Sequence, residues 1–194
     1  EVLHARGPDV ELCDVEPGAP LEAVFGALVQ DRFARLGSAP VEDKLKILSS
    51  FRFLCAHRRG PLGVHALNAF VAQHLTRHGL LQGQGDWYDG RPILITSNDY
   101  ALELFNGDVG VIAPDLAASA ASVDGRPLVA FFPGAGAAPA RRFPPGQLPP
   151  HDTVFAMSVH KAQGSELDEV ALVLPEQVSP IVTRELIYTG ITRA

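Results

Sequence analysis

The stretch "SVHKAQGSELDEVALVLP" (158–175) decides the fold. Its polar loop lies between two apolar runs, "TVFAMSV" (153–159) and "EVALVLP" (169–175). Continuous apolar runs of this length are typical of strands in a parallel sheet that is covered on both faces. In open α/β sheets, ligands bind at the carboxyl ends of the strands. Residues 158–166 therefore form a predicted ligand-binding loop. The alternative that the spacing leaves open is an ordinary solvated connection, in which His160 pairs locally and Glu166 is solvated.

Helices and buried strands alternate on the N-terminal side of this stretch. Apolar residues recur at helical spacing in three segments, and two short apolar runs indicate strands. The predicted helices cover 19–37, 38–51 and 64–79, and the predicted strands cover 51–56 and 91–96. Between residues 97 and 152 the chain is rich in Gly, Pro and Ala and has short β-like runs, which indicates a small barrel. The predicted fold class is therefore α/β, a parallel-sheet domain interrupted by a small β insert.

Composition limits the function classes. The chain has 194 residues, is 46% hydrophobic and 20% charged, and carries a formal net charge of −6. This charge argues against nonspecific coating of nucleic acid but allows a local basic groove. The two cysteines form no CxxC pair, so we expect no metal site, no disulfide framework and a cytoplasmic location. No apolar run approaches the roughly 18 residues of a membrane span, so no membrane is expected as a partner.

The chain has no sequence of its own for cradling a triphosphate. It contains no Gly-Lys pair, so GxxxxGK[ST] is absent, and it has no GxSxG. Within the loop, Lys161, Gly164 and a helix predicted to begin near Ser165 favour an anion such as phosphate. Since the chain starts without Met and ends at "ITRA", within a predicted helix, we expect it to be a fragment of a longer protein.

Two segments resemble helicase motifs. "SVHKAQGSE" (158–166) is similar to the fifth motif of superfamily 1 helicases, and "TRELIYTGITRA" (183–194) is similar to the sixth. "LFNGDVG" (104–110) narrows the resemblance to the RecD family, the alpha subunits of exodeoxyribonuclease V, and "LCAHRRGPLGVHALN" (54–68) extends it. The resemblance is to the C-terminal portion of such subunits. It implies an ATP-dependent 5′–3′ DNA helicase of double-strand break repair and recombination, which acts on single-stranded DNA with RecB-like and RecC-like subunits.

For the fold, the resemblance implies the second of two RecA-like motor domains, with an SH3-like β barrel inserted in it. The motor domain would comprise residues 1–96 and 153–194, and the barrel would comprise residues 97–152. The first motor domain, with both Walker sequences and the Mg²⁺ ligands, would lie outside this chain. ATP with Mg²⁺ is accordingly expected in the full-length enzyme, and this chain alone is expected not to hydrolyse ATP.

The resemblance also implies roles for individual residues. Arg193 matches the sixth-motif arginine that contacts the γ-phosphate of ATP, and Arg58 matches the fourth-motif arginine, with the adjacent Arg59 as the alternative. The expected nucleotide-binding residues besides Arg193 are Gln163, Gly164 and Glu166. The expected DNA-binding residues are Ser158, His160, Lys161 and Asn106.

Other interpretations remain open at the level of sequence. Asn106 and Asp108 lie in an Asn-Gly-Asp sequence, and a turn alone explains them. Trp87 and Tyr88 have side chains that can stack on a base, although a core or interface role is preferred. The alternatives to a RecD subunit are a stand-alone RecD-like or relaxase-linked helicase, and a noncatalytic interaction module whose β insert binds a protein.

Overall fold

The computed structural model describes residues 10–82, 85–116, 127–136, 138–177 and 179–194. Along these residues the helices are α1 (Leu21–Phe33), α2 (Val41–Ser50), α3 (Val64–Arg77) and α4 (Arg184–Ile191). The strands are β1 (Phe51–Cys55), β2 (Pro92–Ile95), β3 (Val109–Pro114), β4 (Leu128–Phe132), β5 (Arg141–Phe143), β6 (His151–Thr153), β7 (Ala156–Ser158) and β8 (Glu169–Val173). No helix in this described part of the chain is long and apolar enough to cross a membrane.

A three-stranded parallel sheet in the order β7-β1-β8 confirms the predicted α/β core. The central strand β1 is buried along its whole length, and its Phe53 pairs with Ala156 of β7. A strand that is covered on both faces has few positions for polar side chains, which explains its nearly continuous apolar sequence. Its one charged residue, Arg52, is buried and donates to the backbone carbonyls of Leu48 and Val154. The three parallel strands place their carboxyl ends at one edge, where the predicted loop begins.

The two faces of this sheet are covered by different helices. On one face, α1 and α3 pack against Phe51 and Phe53, and the ring centroids of Phe33 and Phe51 lie 5.6 Å apart at an interplanar angle of 64°. Such edge-to-face pairs are favourable beyond the area that they bury. On the other face, Leu54 of β1 and Leu186 of α4 belong to a second buried cluster. This second cluster places α4 beside the loop that follows β7.

A second, antiparallel sheet contains five strands in the order β5-β4-β3-β2-β6. The prediction that residues 91–96 belong to the parallel sheet is wrong, because β2 pairs with β3 and β6. All four residues of β2 are buried inside this sheet, and a short buried run does not distinguish a parallel from an antiparallel neighbourhood. The antiparallel sheet accordingly spans residues 92–153, not 97–152.

The chain returns from the antiparallel to the parallel sheet within the apolar run 153–159. Val154 N donates to the Pro92 carbonyl of β2 at 3.2 Å, whereas the carbonyl of the next residue, Phe155, accepts from Phe53 N of β1 at 3.3 Å. The apolar run 153–159 thus forms hydrogen bonds with strands of both sheets, and its composition alone does not indicate where it passes from one sheet to the other. The loop after β7 is therefore close in sequence to both sheets.

Candidate functional site

The loop after β7 begins with a 3₁₀ turn over Val159–Ala162. The Ser158 hydroxyl accepts a hydrogen bond from Lys161 N at 3.3 Å and caps this turn. The first and last residues of the turn are buried and anchor it in the core, while His160 and Lys161 are exposed. The turn therefore presents an imidazole and an ammonium group to solvent at the carboxyl edge of the parallel sheet.

The prediction of a helix that begins near Ser165 is wrong, because the described chain forms a turn at residues 163–164 and has no regular structure from there to β8. The chain turns at Gly164, whose φ of 86° lies in the left-handed region that favours glycine. Ser165 N then donates to the Ala162 carbonyl at 3.0 Å, and the chain leads on to β8. A helix N-terminus therefore supplies no anion site here, and an anion must be met by side chains.

A groove of about 170 Å³ at the carboxyl end of β7 is lined by residues of both sheets. Its charged and polar lining includes Arg58, His65, Asn68, Asp152, Ser158 and Lys161. We call it the basic groove, because two permanent cations and one imidazole face a single carboxylate. Lys161 Nζ lies 4.0 Å from Asp152 Oδ2. The groove brings together three residues that the sequence analysis predicted for phosphate contacts, namely Arg58, Ser158 and Lys161.

A second groove, of about 370 Å³, lies between the turn and α4. We call it the helix groove, and its polar lining is His160, Gln163, Thr183, Glu185 and Thr189. Thr183 caps α4 by accepting from Leu186 N at 3.2 Å. Hydrogen bonds from its own backbone amide and from the Thr183 hydroxyl hold the pKa of the Glu185 carboxyl below its ordinary value. A charged carboxylate therefore shares this groove with His160 at neutral pH.

The predicted DNA-binding residues are only partly brought together. Ser158 and Lys161 line the basic groove, His160 lines the helix groove, and Asn106 lines neither. Asn106 lies in the connection from β2 to β3, where its backbone N–H donates to the side-chain oxygen of Asn98 at 2.8 Å. The role of Asn106 in DNA binding stays a prediction.

The predicted nucleotide-binding residues are also divided. Gln163 lines the helix groove, whereas Gly164 and Glu166 line neither groove. All three residues are exposed. Arg59, the alternative to Arg58, is exposed and lines neither groove.

Arg193 lies just beyond the C-terminal end of α4 and is half-buried. Its Nε donates to the Thr189 carbonyl at 3.2 Å, and its Nη2 donates to Thr192 Oγ1 at 3.4 Å. Among the described residues, no carboxylate comes within 4.0 Å of its guanidinium. Its positive charge is therefore not neutralised within this part of the chain and is available to a ligand.

Two contacts join α4 to the rest of the site. Leu167 N, in the loop that leads to β8, donates to the Arg193 carbonyl at 2.9 Å. Gly190 lets α4 approach β8 closely, since a Cβ at this position would lie 2.9 Å from Leu172 Cδ1. The two segments that resemble helicase motifs are thereby held together as one structural unit.

The turn interpretation of the Asn-Gly-Asp sequence is confirmed for Asp108, whose carboxylate accepts from Phe105 N at 2.9 Å. The core role preferred for the aromatic pair is also confirmed. Tyr88 packs against the main core cluster, and burial raises its pKa to about 12. Trp87 packs in the core of the antiparallel sheet, with the Arg91 guanidinium 5.6 Å from its ring centroid.

Asn68 is a site residue that the sequence analysis missed. It lies on α3, half-buried, and its side chain bonds to the backbone of β7, which is 87 and 88 residues away in sequence. The available signal was a carboxamide at helical spacing with Val64, Val71 and Leu75, in the middle of an otherwise apolar face.

The described residues also bring three potential metal ligands together, Glu22, His74 and His78, between α1 and α3. His74 Nδ1 lies 2.9 Å from Glu22 Oε1, and its Nε2 lies 3.2 Å from Gln30 Nε2. Gln30 Nε2 donates to the His74 ring, and the His74 imidazole lies at ion-pair distance from the Glu22 carboxylate. These contacts link α1 to α3, and the expectation of no metal site stays a prediction.

Comparison with known proteins identifies the motif-like segments. Residues 153–194 match the family model described as the UvrD-like helicase C-terminal domain. The chain is 40% identical over 197 residues to the RecBCD enzyme subunit RecD of Mycolicibacterium smegmatis, and the alignment covers 100% of this chain and 32% of that protein. It is 32% identical over 139 residues to the ATP-dependent RecD2 DNA helicase of Deinococcus radiodurans, with 71% of this chain and 18% of that protein covered.

The predicted resemblance to the RecD family is confirmed by these matches. The chain spans about a third of the length of the mycobacterial relative and corresponds to its C-terminal part. The crystal structure of Pif1 helicase from Bacteroides in complex with ADP-AlF3 and ssDNA is similar over 95% of this chain and 49% of that chain, with a TM-score of 0.41 and 13% identity. At that TM-score the likeness supports no conclusion about this chain.

Proposed function

We propose that this chain, which matches RecD subunits along its whole length, is the second RecA-like motor domain of an ATP-dependent 5′–3′ DNA helicase. The full-length protein acts on single-stranded DNA together with RecB-like and RecC-like subunits in double-strand break repair and recombination. The observation that carries this proposal is the hydrogen bond from Leu167 N to the Arg193 carbonyl, at 2.9 Å. It holds the end of α4, with an arginine that has no carboxylate within 4.0 Å among the described residues, against the loop that borders the basic groove, and this supports one structural unit that contacts both ATP and DNA.

Arg193 is the residue to which we assign the chemical step. Phosphoryl transfer needs positive charge against the oxygens on which negative charge develops. The guanidinium has five N–H donors, and the two bonds to Thr189 and Thr192 leave others free for a γ-phosphate. Because the arginine and the ATP cradle lie on different domains, hydrolysis would depend on closure of the cleft between them.

The basic groove is the surface to which we assign the DNA backbone. Lys161 offers an ammonium group, and the Ser158 hydroxyl still has a proton to donate after accepting from Lys161 N. Roughly half to two-thirds of the hydrogen bonds between proteins and DNA go to phosphate and sugar, and these bonds do not depend on the base sequence. We assign His160 a DNA contact from the helix groove and Asn106 a DNA contact outside both grooves.

Arg58 shares the basic groove with Ser158 and Lys161, which supports a phosphate contact for it rather than for Arg59. Two phosphates are candidates, the γ-phosphate of ATP and the DNA backbone. Arg58→Ala separates them: a loss of hydrolysis at saturating DNA supports the first, and a loss of DNA affinity with a shallower salt dependence supports the second.

The nucleotide side of the proposal rests on the loop and α4. We assign Gln163 a contact to the nucleotide from the helix groove, Glu166 a contact to its sugar, and Gly164 the turn that orients both. ATP is bound with Mg²⁺ in the full-length enzyme, and the Mg²⁺ ligands belong to the first motor domain. No step assigned to this chain needs a metal ligand from its own residues.

We further propose that the antiparallel sheet of residues 92–153 is the core of an SH3-like domain inserted into the motor domain. The return of the chain to β7 immediately after β6 supports this, because an insertion leaves and re-enters its host at neighbouring points. In this description the motor domain comprises the segments before and after the inserted sheet.

The proposed function is tested by ATP hydrolysis of the full-length protein with and without single-stranded DNA. We expect turnover that DNA stimulates and that the 194-residue chain alone does not show. A noncatalytic interaction module predicts no nucleotide-dependent effect of Arg193→Ala. A stand-alone helicase, such as the match to RecD2 allows, predicts that the protein purifies without RecB-like and RecC-like subunits.

A further inference from the structure

We propose that Asn68 is a positioning residue for the DNA-contacting loop, because its carboxamide holds the start of β7 and thereby sets where Ser158 and Lys161 lie. This inference rests on the proposed function and names a residue outside the segments 158–166 and 183–194, at the end of the segment 54–68 that extends the resemblance. Asn68 lies on α3, outside the parallel sheet, and lines the basic groove.

The carboxamide of Asn68 makes four hydrogen bonds, which is its full capacity of two donated and two accepted bonds. Its Oδ1 accepts from Phe155 N at 2.7 Å and from Ala156 N at 2.9 Å. Its Nδ2 donates to the Ala156 carbonyl at 2.9 Å and to the Val64 carbonyl at 3.0 Å. Three of the four partners are backbone groups of Phe155 and Ala156, at the start of β7, so the side chain acts mainly on β7.

These bonds supply what the parallel sheet does not. The β7 strand is an edge strand of three residues whose neighbour in the sheet is β1. Phe53 of β1 is in register with Ala156 but donates to the Phe155 carbonyl, so the backbone N–H and C=O of Ala156 are bonded by Asn68 instead. Asn68 therefore bonds the outer edge of β7 at Ala156 as a neighbouring strand would.

The position of β7 is transmitted directly to the groove. Ser158 is the last residue of β7, and its hydroxyl caps the turn through Lys161 N. Lys161 Nζ then reaches to within 4.0 Å of Asp152 on the antiparallel sheet. A shift of Ala156 would move the Ser158 cap and the Lys161 ammonium group together. Asn68 is uncharged and would affect a phosphate contact only through them.

The test separates an uncharged residue that positions the Lys161 ammonium group from a residue that itself contacts DNA. Asn68→Leu is neutral and similar in size, but it has no donor and no acceptor. In the full-length protein we expect weaker binding to a labelled oligothymidylate and a salt dependence of log Kd that is shallower by about 0.7, the value for one lost phosphate contact on a single strand. A residue with a local structural role alone, or a direct uncharged contact to DNA, would weaken binding without changing this slope.

A double-mutant cycle locates the lost contact. In a Lys161→Ala background, we expect Asn68→Leu to change the slope no further, because the contact that it misplaces is already gone. Val71→Ala, one helical turn further on the same buried face of α3, is the control for general loss of stability, and it should lower Tm without changing the slope. Asn68→Ser keeps one hydroxyl for the backbone of β7 and serves if Asn68→Leu does not fold. It should give a smaller shift in the same direction.

The outcomes separate the inference from the proposed function. A wild-type slope in folded Asn68→Leu or Asn68→Ser, with wild-type protein that binds DNA, overturns the positioning role and leaves the helicase proposal intact. Additive slope changes in the Lys161→Ala background also overturn it, since Asn68 would then act elsewhere. Wild-type full-length protein that binds no single-stranded DNA removes the proposed function and, with it, this inference.

Discussion

The two grooves beside the turn Val159–Ala162 differ in charge although they are built from neighbouring residues. The basic groove is lined by Lys161, Arg58 and one carboxylate, while the helix groove is lined by His160 and by Glu185, whose pKa hydrogen bonds at the start of α4 hold below its ordinary value. Adjacent side chains on a 3₁₀ turn point in different directions, so one short loop serves two environments. In this loop a single turn is enough to place the adjacent side chains of His160 and Lys161 in two different grooves.

The largest predicted effect concerns Arg193, which lies just beyond the C-terminal end of α4. Arg193→Ala in the full-length protein should reduce the rate of hydrolysis by roughly 10³- to 10⁵-fold, or about 4 to 7 kcal/mol, since arginines that stabilise phosphoryl transfer contribute on this scale. ATP affinity should change little, because the stabilisation arises mainly in the transition state. Arg193→Lys should recover little, since a point charge does not reproduce the planar guanidinium. Unchanged turnover, or a loss confined to ATP affinity, would rule the assignment out.

A smaller effect should distinguish the two neighbours on the turn. Lys161→Ala should weaken binding to single-stranded DNA and make its salt dependence shallower by about 0.7, because one phosphate contact is lost. His160→Ala should weaken binding with a smaller change of slope, because its side chain lines the helix groove and not the basic groove. Equal slope changes for the two variants would place both residues on the same phosphate track and remove the distinction between the grooves.

A third effect concerns the turn that follows the two neighbours. Gly164 has a φ of 86° and open space around its missing Cβ, so a substitution there is opposed by backbone strain and not by a clash. Gly164→Ala should lower the free energy of unfolding by about 1 kcal/mol in urea denaturation. Gly164→Asn should lower it less, because asparagine tolerates the left-handed region better. Equal losses for both substitutions would mean that strain at φ is not the cause.

The smallest effect lies away from both grooves, at the link between α1 and α3. The hydrogen bond to His74 holds the pKa of the Glu22 carboxyl below its ordinary value. A depressed pKa contributes stability above the ordinary value, and this contribution is lost as the pH falls through the folded value. Glu22→Gln should therefore lower Tm slightly at pH 7 and lose less Tm than the wild type on acidification to pH 3.5. Glu42→Gln, an exposed glutamate at the start of α2, is the matched control.

The helices and the parallel core were predictable because apolar periodicity dictates them. The helices α1, α2 and α3 and the strands β1 and β8 lie where the pattern predicts them, since each buries one face or both. The position of β2 was not predictable, because a short buried run looks the same in either sheet. The contact of Asn68 with Ala156 spans 88 residues, and no local pattern reports a partner so far along the chain. The motifs located the phosphate-binding candidates but not their division between two grooves.

We propose that the turn Val159–Ala162 separates a DNA-binding side from a nucleotide-binding side, and a crossed pair of measurements on the full-length protein tests this most directly. Lys161→Ala and Arg193→Ala are each assayed for the salt-dependent Kd of single-stranded DNA and for single-turnover ATP hydrolysis at saturating DNA. We predict that Lys161→Ala changes the Kd and its salt slope while hydrolysis stays close to wild type, and that Arg193→Ala does the reverse. Loss of the same property in both variants would contradict the account.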